Sequence, residues 1–347
     1  MANNRVFYAC QAVAIAPCFV APTTSNVRLA HGVQSVGITT NFNLEQAFEL
    51  GQIQIYENIE GLPEVEVTLE KALDGHPLIY HAATPTASVN TLVNRAAINC
   101  NVALGIYPDN QDAVTGAAPS EVHMSGMYLS SIGYTIPADG TATESVSFVG
   151  NNKSWNNTGS AVKLVTAARA LEIPEDGDGK GTDAPYAGSG VVRRENVNLA
   201  ASILPAAIFG VTGTSAGNAL VDGNPQVHVQ NFSCNTDLSR EDILELGRKA
   251  PYYRAPNFPV EVTSEFEVIA VSGDYVSCEE SAAANTSEET IKMVLLNGTT
   301  FDLGSANRLS SVSYGGGDAT GGNATITYSY STFNDLSVSA TNDPAGL

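Results

Sequence analysis

The sequence predicts a mainly β protein built from two tandem copies of one unit. Residues 33–70 and 229–265 read as two versions of one segment. Runs of alternating apolar and polar residues accompany both copies, and the chain is rich in Gly, Ala, Thr, Ser, Asn and Val, with only 15% charged residues. A repeat this long exceeds one solenoid turn and indicates duplication of a whole domain.

The copies align with a single gap after Pro63. The identical pairs are Val33/Val229, Gln34/Gln230, Glu45/Glu241, Glu49/Glu245, Leu50/Leu246, Gly51/Gly247, Tyr56/Tyr252, Pro63/Pro259, Val65/Val260, Glu66/Glu261, Val67/Val262, Thr68/Thr263 and Glu70/Glu265. Further on, 128–134 matches 308–314, and a Thr/Ser-rich alternating run typical of a closing hairpin follows each. We therefore predict domains at 1–156 and 191–347, joined by a Gly/Asp-rich linker or loop at 157–190.

Each unit is predicted to contain a short α-helix and a long β-hairpin arm. Asn43 and Ser239 are candidate N-caps, and Gly51 and Gly247 supply the corresponding stops. An apolar stretch precedes each copy, at 6–20 and 199–211, and is expected to be a buried strand. The first of these resembles a signal peptide, but the second cannot be one, so export is not expected.

The next strand of each copy has one apolar face and one acidic face. The acidic positions are Glu64, Glu66, Glu70, Glu261, Glu265 and Glu267. Like charges along one strand face repel by tenths of a kcal/mol per exposed pair, on the order of what surface pairs usually contribute. Two interpretations stay open: a solvated sheet face, or the lining of a water-filled passage along which a polyanion slides without sticking.

Composition excludes several classes of function. Sixteen Lys and Arg against thirty-six Asp and Glu give a formal charge of −20, which is unsuited to gripping a phosphate backbone. The five cysteines form no C-x-x-C pair, which favours free, mostly buried thiols and assembly in a reducing cytoplasm. No apolar run has the length of a membrane-spanning helix, so no membrane partner is expected.

The segment TTNFNLEQAFELGQIQIYENIEGLPEVEVTLEKALDG, with SVSFVGNNKSW at 145–155, resembles the tail-tube proteins of tailed bacteriophages. The resemblance covers most of the first half in outline and, through the repeat, part of the second. It implies a β-barrel or sandwich unit with a flanking helix. It also implies stacked rings of six units that conduct DNA through a negatively charged bore. This chain departs from the family pattern by carrying two units.

Six units per ring require only three copies of a two-unit chain, so we expect a homotrimeric, pseudo-hexameric ring that stacks into a tube, with a hexamer as the alternative. Contacts between units are expected at Tyr56, Lys249, Tyr252, Tyr253 and Arg254, where one loop is acidic and the other basic. Further expected partners are sheath or baseplate proteins and passing DNA that is not specifically bound. The expected location is the virion tail.

Catalytic and ligand motifs are weak. Ser215 lies in a G-x-S-x-G sequence, but the helix that a nucleophile elbow requires does not follow. Asp176, Asp178 and Asp183 lack the EF-hand register, and His76 and His81 lack further metal ligands. We expect no enzyme activity, cofactor or metal.

Two alternatives stay open. A tail hub, terminator or capsid-associated ring protein would form one ring and not extend. A two-domain β-sandwich module for a host receptor or carbohydrate would need a concave aromatic patch.

Overall fold

The computed structural model describes residues 6, 8–18, 27–51, 53–85, 90–108, 118–156, 164–165, 190–209, 217–218, 220–221, 224–225, 227–271, 276, 278, 287–317 and 322–340. The protein is mainly β, as predicted. Among the described residues, α1 (Ile79–Ala83) and α2 (Leu92–Ala96) are short α-helices in the N-terminal half, and residues 164–165 are also helical. Short 3-10 turns occur at Tyr8–Cys10, Arg194–Asn196 and Ala206–Phe209.

In the part of the chain that the structure describes, ten strands lie in the N-terminal half and thirteen in the C-terminal half. The first ten are β1 (Gln11–Pro17), β2 (Arg28–Leu29), β3 (Val33–Asn41), β4 (Leu44–Ala47), β5 (Glu57–Glu60), β6 (Glu64–Ala72), β7 (Asn99–Ile106), β8 (Ser120–Pro137), β9 (Thr143–Gly150) and β10 (Asn152–Asn156). The others are β11 (Ile203–Leu204), β12 (Gly217–Asn218), β13 (Leu220–Val221), β14 (Asn224–Pro225), β15 (Val229–Asp237), β16 (Glu241–Ile243), β17 (Tyr253–Ala255), β18 (Glu261–Ile269), β19 (Lys292–Val294), β20 (Thr300–Asp302), β21 (Arg308–Gly315), β22 (Thr325–Phe333) and β23 (Ser337–Ser339).

Eight antiparallel strands form one continuous run, in the order β3-β6-β9-β8-β15-β18-β22-β21. The first four strands belong to the N-terminal half and the last four to the C-terminal half. Strand alternation places apolar side chains on one face, so that β6 buries Val65, Val67 and Leu69 while β18 buries Val262 and Phe266. The two halves therefore share one sheet, which joins where β8 pairs with β15.

The two sets of four strands have the same order and the same irregularities. Register shifts fall between Val33 and Ser35 in β3 and between Val229 and Asn231 in β15. Shifts likewise fall after Leu129 in β8 and after Leu309 in β21. Matched bulges fix the equivalence of these strands residue by residue, because each bulge inserts one extra residue at a defined place.

The structural equivalence of β6 and β18 differs from the sequence alignment by two residues. Val65 lies opposite Thr40, and the residue opposite the equivalent Thr236 is Val262, whereas sequence identity aligned Val65 with Val260. A two-residue slip keeps every side chain on its face, because the period of a strand is two. The repeated Val-Glu-Val-Thr sequence is therefore compatible with either alignment of β6 and β18.

A second layer packs on the apolar face of the large sheet. It includes the separate five-stranded sheet β12-β11-β19-β20-β23. Tyr134 of β8 and Phe301 of β20 bring their ring centroids within 4.6 Å, and both side chains are fully buried. In the N-terminal half the order β2-β1-β7-β8-β10 repeats that of the five-stranded sheet, because the 18-residue β8 extends beyond the eight-strand run and pairs there with β7 and β10. Within the described residues no sheet closes into a barrel.

The predicted helices after Asn43 and Ser239 are wrong. Both segments are instead short antiparallel hairpins, β4–β5 and β16–β17. Asn43 and Ser239 adopt left-handed φ values of 45° and 41°, which a helix cap does not, and their N–H groups donate to Asn41 and Asp237 side chains in Asx turns. The predicted left-handed glycines do occur, with φ of 95° at Gly51 and 86° at Gly247, but they turn hairpins. The helices of the N-terminal half lie elsewhere, and the described part of the C-terminal half has only 3-10 turns.

Candidate functional site

The solvent face of the eight-strand run carries all six carboxylates predicted as an acidic face. Their cross-strand neighbours follow the paired registers, so the two acidic strands project to the same side of one sheet. Four of these residues are exposed at positions that alternate with buried ones, and Glu64 and Glu267 are half-buried. Sequence analysis missed a seventh, Asp237, at the end of β15. The repeat aligns Asp237 with Asn41, the polar residue that ends the equivalent strand, so its place on this face could have been predicted.

The rest of this face is neutral and mostly small, with Val149 opposite Glu66 and the 57% exposed Phe333 opposite Glu261 as apolar exceptions. Between the carboxylates lie mainly Ser, Thr, Asn and Gly side chains: Ser35, Gly37, Thr39, Thr68, Thr143, Ser145, Ser147, Ser131, Gly133, Thr135, Ser233, Asn235, Thr263, Thr327, Ser329, Ser331, Ser311 and Ser313. Among the described residues of these strands, the one Lys or Arg on this face is Arg308, at one end of β21. The face therefore repels polyanions and offers few large or adhesive groups. We call it the acidic face.

The eight-strand run ends in two open edges. In the described structure β3 pairs only with β6, and β21 pairs only with β22. The core-side residues of β21 are incompletely covered: Tyr314 is 55% exposed, and Leu309 and Val312 are half-buried. An unpaired edge of this kind exposes backbone N–H and C=O groups as well as apolar area.

The equivalent positions in β8 are buried. Leu129, Ile132 and Tyr134 are 1%, 2% and 0% exposed, respectively, because β15 pairs along that edge. The same contrast holds for the other edge: Val36 and Ile38 of β3 are half-buried, whereas their equivalents Phe232 and Cys234 in β15 are buried. The apolar side chains that the internal junction buries are therefore only partly buried at their equivalent positions on the open edges.

The internal junction is reinforced by the base of the β16–β17 hairpin. Arg240 donates to the carbonyl oxygens of Leu129, Ala96 and Arg254, and its guanidinium lies 5.0 Å from the ring centroid of Tyr128. Burial lowers the pKa of Arg240 to about 10, which leaves it charged at neutral pH. Sequence analysis missed Arg240. Its equivalent in the first copy is the apolar Leu44, and this exchange of a leucine for a cation could have marked the position as one where the two copies differ in function.

Two of the five predicted contact residues do contact the other half of the chain. Tyr253 makes an edge-to-face contact with Tyr128 at 5.9 Å between ring centroids. The guanidinium of Arg254 lies 3.4 Å from a Glu64 carboxylate oxygen and 3.2 Å from one of Asp242. Tyr56, Lys249 and Tyr252 are exposed on the hairpins.

Both hairpins have strongly exposed apolar ends. Phe48, Leu50 and Ile53 on the first hairpin are 73%, 104% and 106% exposed, and Leu246 on the second is 103% exposed. Exposed leucines and phenylalanines in such a cluster mark an interaction surface more often than a solvated turn.

Glu144 and His81 are among the buried ionisable groups in the core behind the acidic face. Glu144 accepts hydrogen bonds from the N–H groups of Ile79 and Tyr80 at 2.8 and 3.1 Å, and burial raises its pKa. His81 lies 3.0 Å from the carbonyl oxygen of Val338, which joins the two halves. Burial, with a smaller effect of Arg95, lowers the pKa of His81 to about 3.

Of the weaker motifs, only the histidines lie in the part of the chain that the structure describes. Ser215, Asp176, Asp178 and Asp183 lie outside the described residues. The ring of His76 stacks on that of His31. Within the described ranges no three His, Cys, Asp or Glu side chains gather as a metal site, and no helix there has both the length and the hydropathy needed to cross a membrane. Cys10, Cys100 and Cys234 are buried free thiols.

No family model and no curated protein matches this chain. Among solved structures, the chain is similar to a component of the anti-feeding prophage baseplate, known from a six-fold symmetrised cryo-EM structure. The identity is 10% and the TM-score 0.32, over 45% of this chain and 97% of that one. Similarity at this level transfers no function to this chain.

Proposed function

We propose that this protein is a non-enzymatic structural subunit of a phage tail tube, made of two copies of one β unit, whose rings conduct DNA. The observation that carries the proposal is the pair of open edges. β3 and β21 are the equivalents of β15 and β8, the two strands that already pair with each other inside the chain.

Repeating the internal junction between chains gives a specific register. The bulge-matched equivalences place Ile38 opposite Tyr314, as Cys234 lies opposite Tyr134 within the chain. Such a head-to-tail contact is heterologous, so it either closes into a ring or continues as an open helix. A ring pairs both edges and covers Tyr314 in every chain, whereas an open helix leaves one edge unpaired at each end, which supports a ring.

Three chains complete a pseudo-hexameric ring under this proposal. Three chains of eight strands give a wall of twenty-four strands. With strands about 4.8 Å apart and tilted by about 40°, that wall is roughly 50 Å across between backbones. After side chains are allowed for, the bore still has room for a DNA duplex.

The acidic face is proposed to line the bore. The second layer packs on the opposite face of the sheet, and the outside of a closed wall has the larger circumference to hold an extra layer. The carboxylates then face the passage, and the small neutral side chains between them give a polyanion nothing to grip. Under this proposal DNA passes without specific binding, the exposed hairpin ends contact a neighbouring ring or another tail protein such as sheath or baseplate, and the protein resides in the virion tail.

Electron microscopy of the purified protein tests the proposal. We expect rings with three-fold symmetry and six similar lobes, which stack into tubes as concentration rises. Isolated monomers that persist at high concentration would overturn it. Rings that never stack would instead favour a hub, terminator or capsid-associated ring protein.

A further inference from the structure

We propose that the junction between chains carries an ion pair, Glu57 to Arg308, where the junction inside the chain carries the Tyr253–Tyr128 ring contact. This inference rests on the proposed ring and identifies a contact that distinguishes its two kinds of junction. The occupant of the open β21 edge is a second copy of this chain.

The equivalence of Glu57 and Tyr253 follows from the two hairpins. Glu57 lies opposite Ala47 in the first hairpin, and Tyr253 lies opposite Ile243 in the second. The closing hydrogen bonds agree, since Tyr56 donates to the Ala47 carbonyl at 3.0 Å and Tyr252 to the Ile243 carbonyl at 2.8 Å. Glu57 thus occupies the place of the tyrosine that contacts Tyr128.

Arg308 takes the place of Tyr128 by an independent register. Each residue immediately precedes the leucine at which its strand bulges, Leu129 in β8 and Leu309 in β21. Arg308 is the first residue of β21, and Tyr128 is the first residue of the part of β8 that pairs with β9; both lie on the acidic side of the sheet. If the β4–β5 hairpin of one chain sits on β21 of the next as the β16–β17 hairpin sits on β8, the Glu57 carboxylate meets the Arg308 guanidinium.

The chemistry at this contact is complementary. Glu57 is exposed, and Arg308 is exposed with one nitrogen 3.0 Å from the Glu288 carboxylate. A guanidinium presents five N–H groups in a planar fork, so it can hold Glu288 and accept a second carboxylate. Leu44, the equivalent of Arg240, is 65% exposed and brings no second cation to compete with Arg308.

The substitution makes this one position respond differently to salt in the two junctions; elsewhere the internal junction has an ion pair of its own, Arg254 with Glu64. The aromatic contact inside the chain does not depend on ionic strength, whereas an exposed ion pair between chains is screened within a Debye length of about 8 Å at physiological salt. Each hairpin also becomes matched to its own edge, because Glu57 would face a tyrosine, without a charge partner, if it docked on the wrong edge.

Charge reversal tests the pair. We expect Glu57→Arg and Arg308→Glu each to weaken ring assembly roughly tenfold at low salt, through one lost pair and one like-charge contact per junction. The double variant, Glu57→Arg with Arg308→Glu, should restore assembly. Glu45→Arg is the matched control on the same hairpin, since its equivalent Glu241 is exposed at the internal junction. Sedimentation velocity, from low to high salt, measures how far each variant assembles.

The outcomes separate this inference from the proposed ring. Single variants that assemble like the parent, or a double variant that stays dissociated, would refute the ion pair while leaving the ring intact. If the parent protein forms no ring under any condition, both the proposed ring and this ion pair are refuted. Circular dichroism of each monomer checks that the variants fold.

Discussion

Tyr314 provides the most direct test of the open-edge argument. Its side chain is 55% exposed, whereas the equivalent Tyr134 is fully buried by β15. A tyrosine buries on the order of 200 Å², so covering the exposed part removes roughly 110 Å² from water. At about 25 cal/mol per Å² this amounts to about 2–3 kcal/mol per junction. Tyr314→Ala should therefore weaken each junction by roughly 30- to 150-fold.

The assay is the concentration dependence of mass, measured by mass photometry or sedimentation equilibrium, together with thermal unfolding of the monomer. We expect the association midpoint to shift while the monomer melting temperature stays nearly constant, because Tyr314 contributes little to the core of an isolated chain. Tyr8→Ala is the control, since Tyr8 is 80% exposed and lies on neither edge. Unchanged assembly of Tyr314→Ala would refute the edge-pairing argument.

Three further predictions concern the core, the internal junction and the acidic face. The pKa of His81 is about 3 in the folded protein and 6.5 in the unfolded chain, so between these pH values only the unfolded state binds the extra proton. The free energy of unfolding should therefore fall as the pH drops from 6.5 towards 3, by up to about 1.4 kcal/mol per pH unit. Denaturant titrations of His81→Gln should lack this pH dependence. Arg240→Met leaves three carbonyl oxygens without their donor and should lower the free energy of unfolding by about 2–4 kcal/mol. The control Arg248→Met removes an exposed ion pair and should lower it by less than about 1 kcal/mol. Equal losses in the two variants would contradict the role assigned to Arg240. Glu66→Lys combined with Glu261→Lys should give assemblies that retain DNA in low-salt electrophoresis and release it as salt rises, and assemblies that still ignore DNA would argue against a lining position.

The strand content and the acidic face were predictable from local pattern. Alternation over 64–70 and 261–267 specifies which side chains point to water, because the period of a strand is two, and the structure follows it. The register between the copies was not predictable, because the repeated letters tolerate a slip by two residues. Only the pairing partners Thr40 and Thr236 resolve it.

The hairpins were misread as helices for a physical reason. Leu44–Leu50 has apolar residues at helical spacing, and Asn43 precedes it as a cap would. A short helix of this kind needs a core to pack on, yet Leu44, Phe48 and Leu50 are all exposed. Asx turns then favour the hairpin, because they set the left-handed residue that starts it. The role of Arg240 was beyond local pattern, since its three carbonyl partners lie at 96, 129 and 254.

The β8–β15 pairing has a consequence for the kinetics of assembly. Every polypeptide that folds has already formed one inter-unit seam without meeting another molecule, so that seam is independent of protein concentration. In the proposed ring, three chains associate in two bimolecular steps, whereas six separate units would need five, and in both cases the last seam closes within the assembly. Doubling the unit therefore removes three bimolecular steps and leaves fewer kinds of partial ring to accumulate when the protein is scarce.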